Sequence, residues 1–301
     1  MQENPSQFTI PRSQIDFKAL LNEYRSQAQI RFVHISDTHI SHDPTYAIPE
    51  AAYHPTVGAQ ALVDQINKLP FKPDFVLHTG DIAFDPEPQS YQVAKKVFSK
   101  LQYPIYYLTG NHDNAQMLQS IVAEAKDIKP KFDYEFELKG IQFVCLDSNG
   151  PAPFAGGSLT AEQLTWLENI CKADDSRALV VAIHHNVLPI GAPFWDSFMR
   201  MTNGEAFHQT LLHAKHRIRG VFSGHVHQAT ETYRDGILYS TVLSSWYQLE
   251  CYPGQEGISA DYGAEPGFNV VTVTPTQTFI RRHRFKVNTA EYTLNPHLLS
   301  T

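Results

Sequence analysis

Five short apolar runs, each rich in β-branched or aromatic residues, end directly in a polar patch. Ile30 to Ile35 runs into Asp37-Thr38-His39, Phe75 to Leu77 into Gly80-Asp81, and Ile105 to Leu108 into Gly110-Asn111-His112-Asp113. Ala178 to Ile183 ends at His184-His185, and Ile218 to Phe222 at Gly224-His225-Val226-His227. Runs of this length and composition predict strands. Between them, apolar residues at helical spacing cover Thr56 to Leu69, Gln89 to Leu101, Ala115 to Ala125 and Thr160 to Cys171. The last opens on Thr160 with Gln163 three residues on, a capping-box signature, and sets Leu164, Leu167 and Cys171 on one face. Strands alternating with helices mark α/β units, and the helices are read as cover for a sheet.

After His227 the pattern changes. Strand-like runs at Ile237 to Val242, Phe268 to Val273 and Phe279 to His283 follow with no long helical segment between them. They imply an antiparallel or mixed second sheet. The expected fold is therefore α/β, with two packed mixed β-sheets flanked by helices in a four-layer αββα sandwich. Residues 1–29 read as an N-terminal extension, with Phe17, Leu20, Leu21 and Tyr24 at helical spacing. Residues 30–284 form the body, and 285–301 a tail that is polar and expected to be mobile from Asn288. Ser41 to Pro55 and Tyr252 to Gly267 are loops by their Pro and Gly content. The N-terminal helix or the second of these loops is a candidate dimer contact.

A chain of 301 residues with 42% hydrophobic content can bury one large core. Its formal net charge of −7 argues against a nucleic-acid polymer as partner. A small anionic substrate stays within reach, because bound metal ions supply local positive charge. Three cysteines without zinc-type spacing suggest neither a disulfide framework nor a thiolate site. Cys145, in a strand pattern, and Cys171, on a helix, are expected to be buried small hydrophobes. Met1-Gln2-Glu3-Asn4-Pro5 lacks a basic and an apolar leader segment, and no stretch nears the roughly 18 apolar residues of a membrane span. A soluble, cytoplasmic protein is expected.

In parallel sheets the ligand site lies beyond the carboxyl ends of the strands, so the five patches should converge. Each alone is ordinary turn or cap chemistry. Together they offer two carboxylates (Asp37, Asp81), one carboxamide (Asn111) and four imidazoles (His39, His184, His225, His227). That set exceeds the needs of one zinc, and its mixed nitrogen and oxygen donors suit transition metals better than magnesium or calcium. Two metal ions sharing a bridging carboxylate, roughly 3.5 to 4 Å apart, fit the number of donors. Such a pair suits attack on a phosphodiester anion. Among the other imidazoles, His34 and His78 lie within strand patterns and are expected in the core. His208, His213 and His216 fall on an expected solvated helix, while His42 and His54 sit in the first loop. Trp195, Trp246 and Tyr247 are either stacking surfaces for a base or packing for the loop layer.

The ordered series DxH, GD, GNHD, H and GHxH resembles the calcineurin-like metallophosphoesterase superfamily over residues 30 to 284. Within it, Ile183-His184-His185-Asn186-Val187-Leu188-Pro189-Ile190-Gly191 followed by Trp195-Asp196 is similar to bacterial class III cyclic nucleotide phosphodiesterases. Many of those place Pro sooner after the His doublet. The resemblance implies that Asp37, His39 and His227 hold one metal, Asn111, His184 and His225 the other, and that Asp81 bridges them. Of the doublet, either His184 or His185 can be the ligand; His184 directly continues the strand, which leaves His185 either behind the ligands or beside the substrate. It further implies that His112 protonates the leaving alkoxide with Asp113 orienting it, and Trp195 and His42 are candidate substrate contacts. The expected cofactors are two divalent transition-metal ions, manganese or iron foremost, with zinc, cobalt or nickel also compatible. The expected reaction is hydrolysis of small phosphodiesters, 3',5'-cyclic nucleotides first, by in-line attack of a metal-bridging hydroxide. A glycerophosphodiester, a phospholipid headgroup ester or a phosphomonoester is the alternative substrate, and a non-catalytic scaffold the alternative function.

Overall fold

The computed structural model describes residues 16, 18, 29–153 and 155–292. One sheet joins β1 (Ile30–Ile35), β2 (Phe75–His78), β3 (Ile105–Tyr107), β10 (Gly267–Val273) and β11 (Thr278–Arg284), in the order β11-β10-β1-β2-β3. The other joins β4 (Tyr134–Leu138), β5 (Ile141–Leu146), β6 (Ala178–Ile183), β7 (Ile218–Ser223), β8 (Glu231–Arg234) and β9 (Ile237–Thr241), in the order β4-β5-β6-β7-β9-β8. Strands β1, β2 and β3 are parallel, as are β5, β6, β7 and β9.

The largely apolar character of these strands is explained by burial on both faces. Along β1, Ile30 and Phe32 enter the core between the sheets, whereas Val33 and Ile35 enter a core beneath the helices. Phe32 stacks on Phe75 at 5.1 Å and meets Phe222 edge-on at 5.3 Å, which locks one sheet to the other. Helices α1 (Pro55–Asn67) and α2 (Pro88–Phe98) cover the first sheet through Leu62, Ile66, Val93 and Val97. Helices α4 (Ala161–Lys172) and α5 (Gly204–Leu212) cover the second through Leu167, Cys171, Phe207 and Leu211. The four-layer αββα sandwich is thus as expected. The capping box at Thr160 is present on both sides: its hydroxyl accepts from Gln163 N, and the Gln163 side chain accepts from Thr160 N. Cys145 and Cys171 are buried free thiols.

Four particulars depart from the sequence reading. The strands after His227 do not form a sheet of their own: β9 lies parallel to β7, while β10 returns to pair antiparallel with β1. Apolar alternation marks a strand but carries no information on its partner. The helix expected from Ala115 is short (α3, Ala115–Met117) and passes into a π-type turn over Leu118–Val122. His208 lies on α5 as expected but is fully buried, 2.7 Å from Tyr239 Oη and 3.0 Å from Asp235 Oδ2. The tail is docked as far as Tyr292, whose hydroxyl donates to Asp64 on α1. The N-terminal helix read from Phe17, Leu20, Leu21 and Tyr24 lies outside the described residues. Among the described residues no helix is long and apolar enough to cross a membrane.

Candidate metal centre

Five strand ends converge because their loops bond to one another. Asp37 N donates to Gly80 O, His39 N to Asp81 O, and Gly224 N to His184 O. His225 N donates to Asp37 Oδ2 at 2.9 Å and so joins the two sheets. The turns are sharp. Among the described residues nine non-glycine residues have positive φ, and five of them are Asp37, His39, Asp81, His225 and His227. Such backbone costs on the order of 1 kcal/mol or more per residue and concentrates at functional sites. Gly80 has φ 107°, and a Cβ there would lie 2.6 Å from His184 Nδ1. At Gly224 a Cβ would lie 1.8 Å from Ser36 Oγ and 2.5 Å from Asp37 Oδ2. Side chains at these two positions would displace the donors behind them.

The donor atoms fall into two overlapping groups. In the first, His39 Nε2 lies 3.0 Å from His227 Nε2, and His227 Nε2 lies 3.4 Å from Asp37 Oδ1. In the second, His184 Nε2 lies 3.1 Å from Asn111 Oδ1. Oδ2 of Asp81 stands between, 3.6 Å from His39 Nε2 and 3.4 Å from His184 Nε2. Two rings are held from behind: His184 Nδ1 donates to Thr79 O and His227 Nδ1 to Tyr247 O, which turns their Nε2 lone pairs inward. His39, Asp81, Asn111, His112, His225 and His227 line a cavity of about 200 Å³ together with Ala155, Met199, Tyr247, Leu249 and Ile258.

Burial opposes charge here, and the surviving charges are therefore informative. Both carboxylates stay ionised against burial, Asp37 lowered chiefly by His227 and Asp81 chiefly by His184. Burial also works against His184, yet the Asp81 carboxylate, with Asp37 behind it, raises its imidazole to about 9. Burial drives His225 down to about 3 and holds His39 and His185 well below the usual imidazole range. His39 Nδ1, His185 Nε2 and His225 Nε2 are buried without a hydrogen-bond partner. Lone pairs and carboxylate oxygens packed face to face in this way call for a cation among them. The donor set thus fits metal ions.

Five of the seven expected ligands, His39, Asp81, Asn111, His225 and His227, line this cavity with His112, and the other two stand directly behind it, Asp37 3.4 Å from His227 Nε2 and His184 3.4 Å from Asp81 Oδ2. Other expected residues do not join them. Trp195 is wholly buried, packed with Ala192, Val226 and Leu249, and its indole donates to Glu250 O, so it presents no face to a substrate. His42 turns away, with Nδ1 3.1 Å from Ser90 Oγ and Nε2 3.5 Å from Glu87. His185 is fully buried, its Nδ1 2.7 Å from Ser148 Oγ. Within the doublet it is His184 that reaches Asp81 and Asn111. Asp113 accepts from Ile82 N, Ala83 N, Gly110 N and Tyr91 Oη. It thereby fixes the segment whose Phe84 carbonyl accepts from His112 Nδ1, and orients His112 at one remove. Trp246 is buried, donates to Tyr53 O and backs His39 at 5.7 Å. Sequence reasoning missed Met199, Leu249 and Ile258 on the cavity wall, which carry no polar signal. It also missed the carbonyls of Thr79, Phe84 and Tyr247, since any residue can supply one.

The family profile described as calcineurin-like phosphoesterase matches residues 30–229. The chain is 27% identical to the 3',5'-cyclic adenosine monophosphate phosphodiesterase of Vibrio vulnificus, over 82% of this chain and 87% of that protein. It is 29% identical to the glycerophosphodiester phosphodiesterase of Enterobacter lignolyticus, over 72% of this chain and 77% of that one. In fold it is similar to a dimetal phosphatase from Danio rerio, with a TM-score of 0.59 at 16% identity, covering 85% of this chain and 99% of that structure.

Proposed function

The chain belongs to the calcineurin-like phosphoesterase family, and from that premise we propose that it is a dinuclear metal-dependent phosphodiesterase acting on small phosphodiesters, 3',5'-cyclic nucleotides first. The observation that carries the reading is the position of Asp81 Oδ2, within 3.6 Å of His39 and 3.4 Å of His184, shared between two donor groups. Asp37, His39 and His227 would hold one ion and Asn111, His184 and His225 the other, with Asp81 common to both. Bound ions would supply a nucleophilic hydroxide at neutral pH and offset charge on the phosphoryl oxygens. Nitrogen and oxygen donors in this mixture suit manganese or iron, and also zinc, cobalt and nickel.

Two buried carboxylates leave a pair of divalent ions with surplus positive charge, which suits a diester monoanion. Among the described residues no lysine or arginine lines the cavity to meet the second charge of a monoester. His112, on the cavity wall, has its Nδ1–H committed to Phe84 O, so its Nε2 is the atom that can protonate a departing alkoxide. In a 3',5'-cyclic nucleotide that alkoxide is the 3' oxygen, and the product is the nucleoside 5'-monophosphate. Met199, Leu249, Ile258 and Tyr247 give an apolar rim that can receive a nucleoside. The likeness to a glycerophosphodiester phosphodiesterase supports glycerophosphodiesters or other headgroup esters as the second reading. Incubation of metal-loaded protein with cyclic AMP, a glycerophosphodiester and a phosphomonoester, followed by chromatography, separates them. Cyclic AMP left intact while another ester turns over would overturn the first reading.

A further inference from the structure

A metal-ligating imidazole keeps its orientation and basicity by donating its second N–H to a fixed acceptor. His184 and His227 have such acceptors in Thr79 O and Tyr247 O. His225 has none: its Nε2 is buried and unpartnered. Beside it stands His185, with ring centroids 4.6 Å apart and planes at 53°, and Nε2 of His185 is buried and unpartnered too. One ring nitrogen from each of His184, His185 and His225 falls within a 4.8 Å cluster. The other edge of the His185 ring is anchored, Nδ1 lying 2.7 Å from Ser148 Oγ. A Cβ on Gly157 would stand 2.4 Å from His185 Cγ, so the ring occupies room that only glycine leaves.

We propose that His185 is the acceptor for His225, completing a relay in which His225 Nε2–H donates to His185 Nε2 and His185 Nδ1–H donates to Ser148 Oγ. His225 then faces the metal through Nδ1. One new hydrogen bond satisfies both orphaned nitrogens, each otherwise an unmet buried polar atom. The relay requires the Nδ1–H tautomer of His185, and Ser148 selects it by accepting there. Ser148 Oγ already accepts from the His185 backbone N–H at 3.4 Å, consistent with an acceptor role. His185 is thus a positioning residue for a ligand and touches no substrate. The proposal rests on the dinuclear reading above.

The test is a metal titration of the full-length chain against a chromophoric chelator, comparing wild type with His185→Ala, His185→Gln, Ser148→Ala and the His185→Ala/Ser148→Ala double variant. The wild type should take up two ions. His185→Ala should weaken the second by about 10- to 100-fold and leave the first unchanged. His185→Gln, whose amide oxygen can still accept, should lose less. Ser148→Ala should weaken the same ion by releasing the tautomer, and the double variant should be no worse than His185→Ala alone. In cobalt-substituted protein, one slowly exchanging, hyperfine-shifted N–H resonance should vanish in His185→Ala. Wild-type affinity for both ions in His185→Ala and Ser148→Ala, with that resonance retained, would overturn the relay; so would full additivity of the two substitutions. A wild type that binds a single ion overturns the dinuclear reading itself, and shows it before any variant is made.

Discussion

His112 donates its Nδ1–H to the backbone carbonyl of Phe84, 3.0 Å away. That bond fixes the ring, and in the proposed reaction Nε2 is the atom that would serve the leaving group. Replacing His112 with alanine should lower turnover by about 10²- to 10⁴-fold, the usual worth of a positioned general acid. Metal content, measured by elemental analysis, should stay near that of the wild type. Loss of an ion together with activity would make His112 a ligand instead.

Asp81 takes the opposite place in the chemistry. Its Oδ2 faces both donor groups, and its Oδ1 accepts from His112 N at 2.9 Å. Asp81→Ala should therefore compromise both metal ions at once and disturb the His112 loop as well. Elemental analysis of the dialysed variant decides it: two tightly retained ions would rule out a shared carboxylate.

Asp113 illustrates a role that a motif alone misplaces. Burial, reinforced by Asp81, pushes its carboxyl up to about 7, against hydrogen bonds from Gly110, Ala83 and Ile82 that favour the anion. Asp113→Asn replaces one acceptor oxygen with a donor facing backbone N–H groups. Thermal unfolding should report a loss of about 1–3 kcal/mol, the cost of unsatisfied buried groups. Turnover should fall through the displaced Phe84 carbonyl, with metal content retained. A variant of unchanged stability and activity would remove Asp113 from the positioning of His112.

The residues differ in how far they could be read from sequence, and for physical reasons. β6 is buried on both faces and reads as an unbroken apolar run, and β1 does so apart from Arg31 and His34. The candidate metal donors follow such runs directly, so strand ends and candidate ligands mark each other. β4 carries a clear alternation, Tyr134-Glu135-Phe136-Glu137-Leu138, that could have been recognised as a half-exposed strand. β8, Glu231-Thr232-Tyr233-Arg234, is a polar edge strand paired to β9 alone and gives no apolar signal. His208 reads as a surface residue because its partners, Tyr239 and Asp235, come from a hairpin distant in the chain. Trp195 likewise resembles a stacking residue until Val226 and Leu249 are seen to cover it. Tertiary cover, not local pattern, decides each of these.

His34 connects the core to acid stability. It is fully buried, with Nε2 3.0 Å from Thr79 Oγ1 and its ring edge-on to Phe222 at 5.4 Å. Burial pushes its imidazole from 6.5 down to about 3, with Asp37 pulling weakly the other way. The folded chain therefore binds fewer protons than the unfolded one between these values. Stability from a neutral His34 is fully present above about pH 6.5 and is lost as the pH falls towards 3. Over that window the group contributes a slope of up to about 1.4 kcal/mol per pH unit. In chelator-treated protein, His34→Gln should flatten the dependence of unfolding free energy on pH between about 6 and 4 by up to one proton, relative to wild type. Denaturant titrations at stepped pH measure both slopes. Parallel curves would mean that His34 keeps an ordinary imidazole affinity for protons despite its burial.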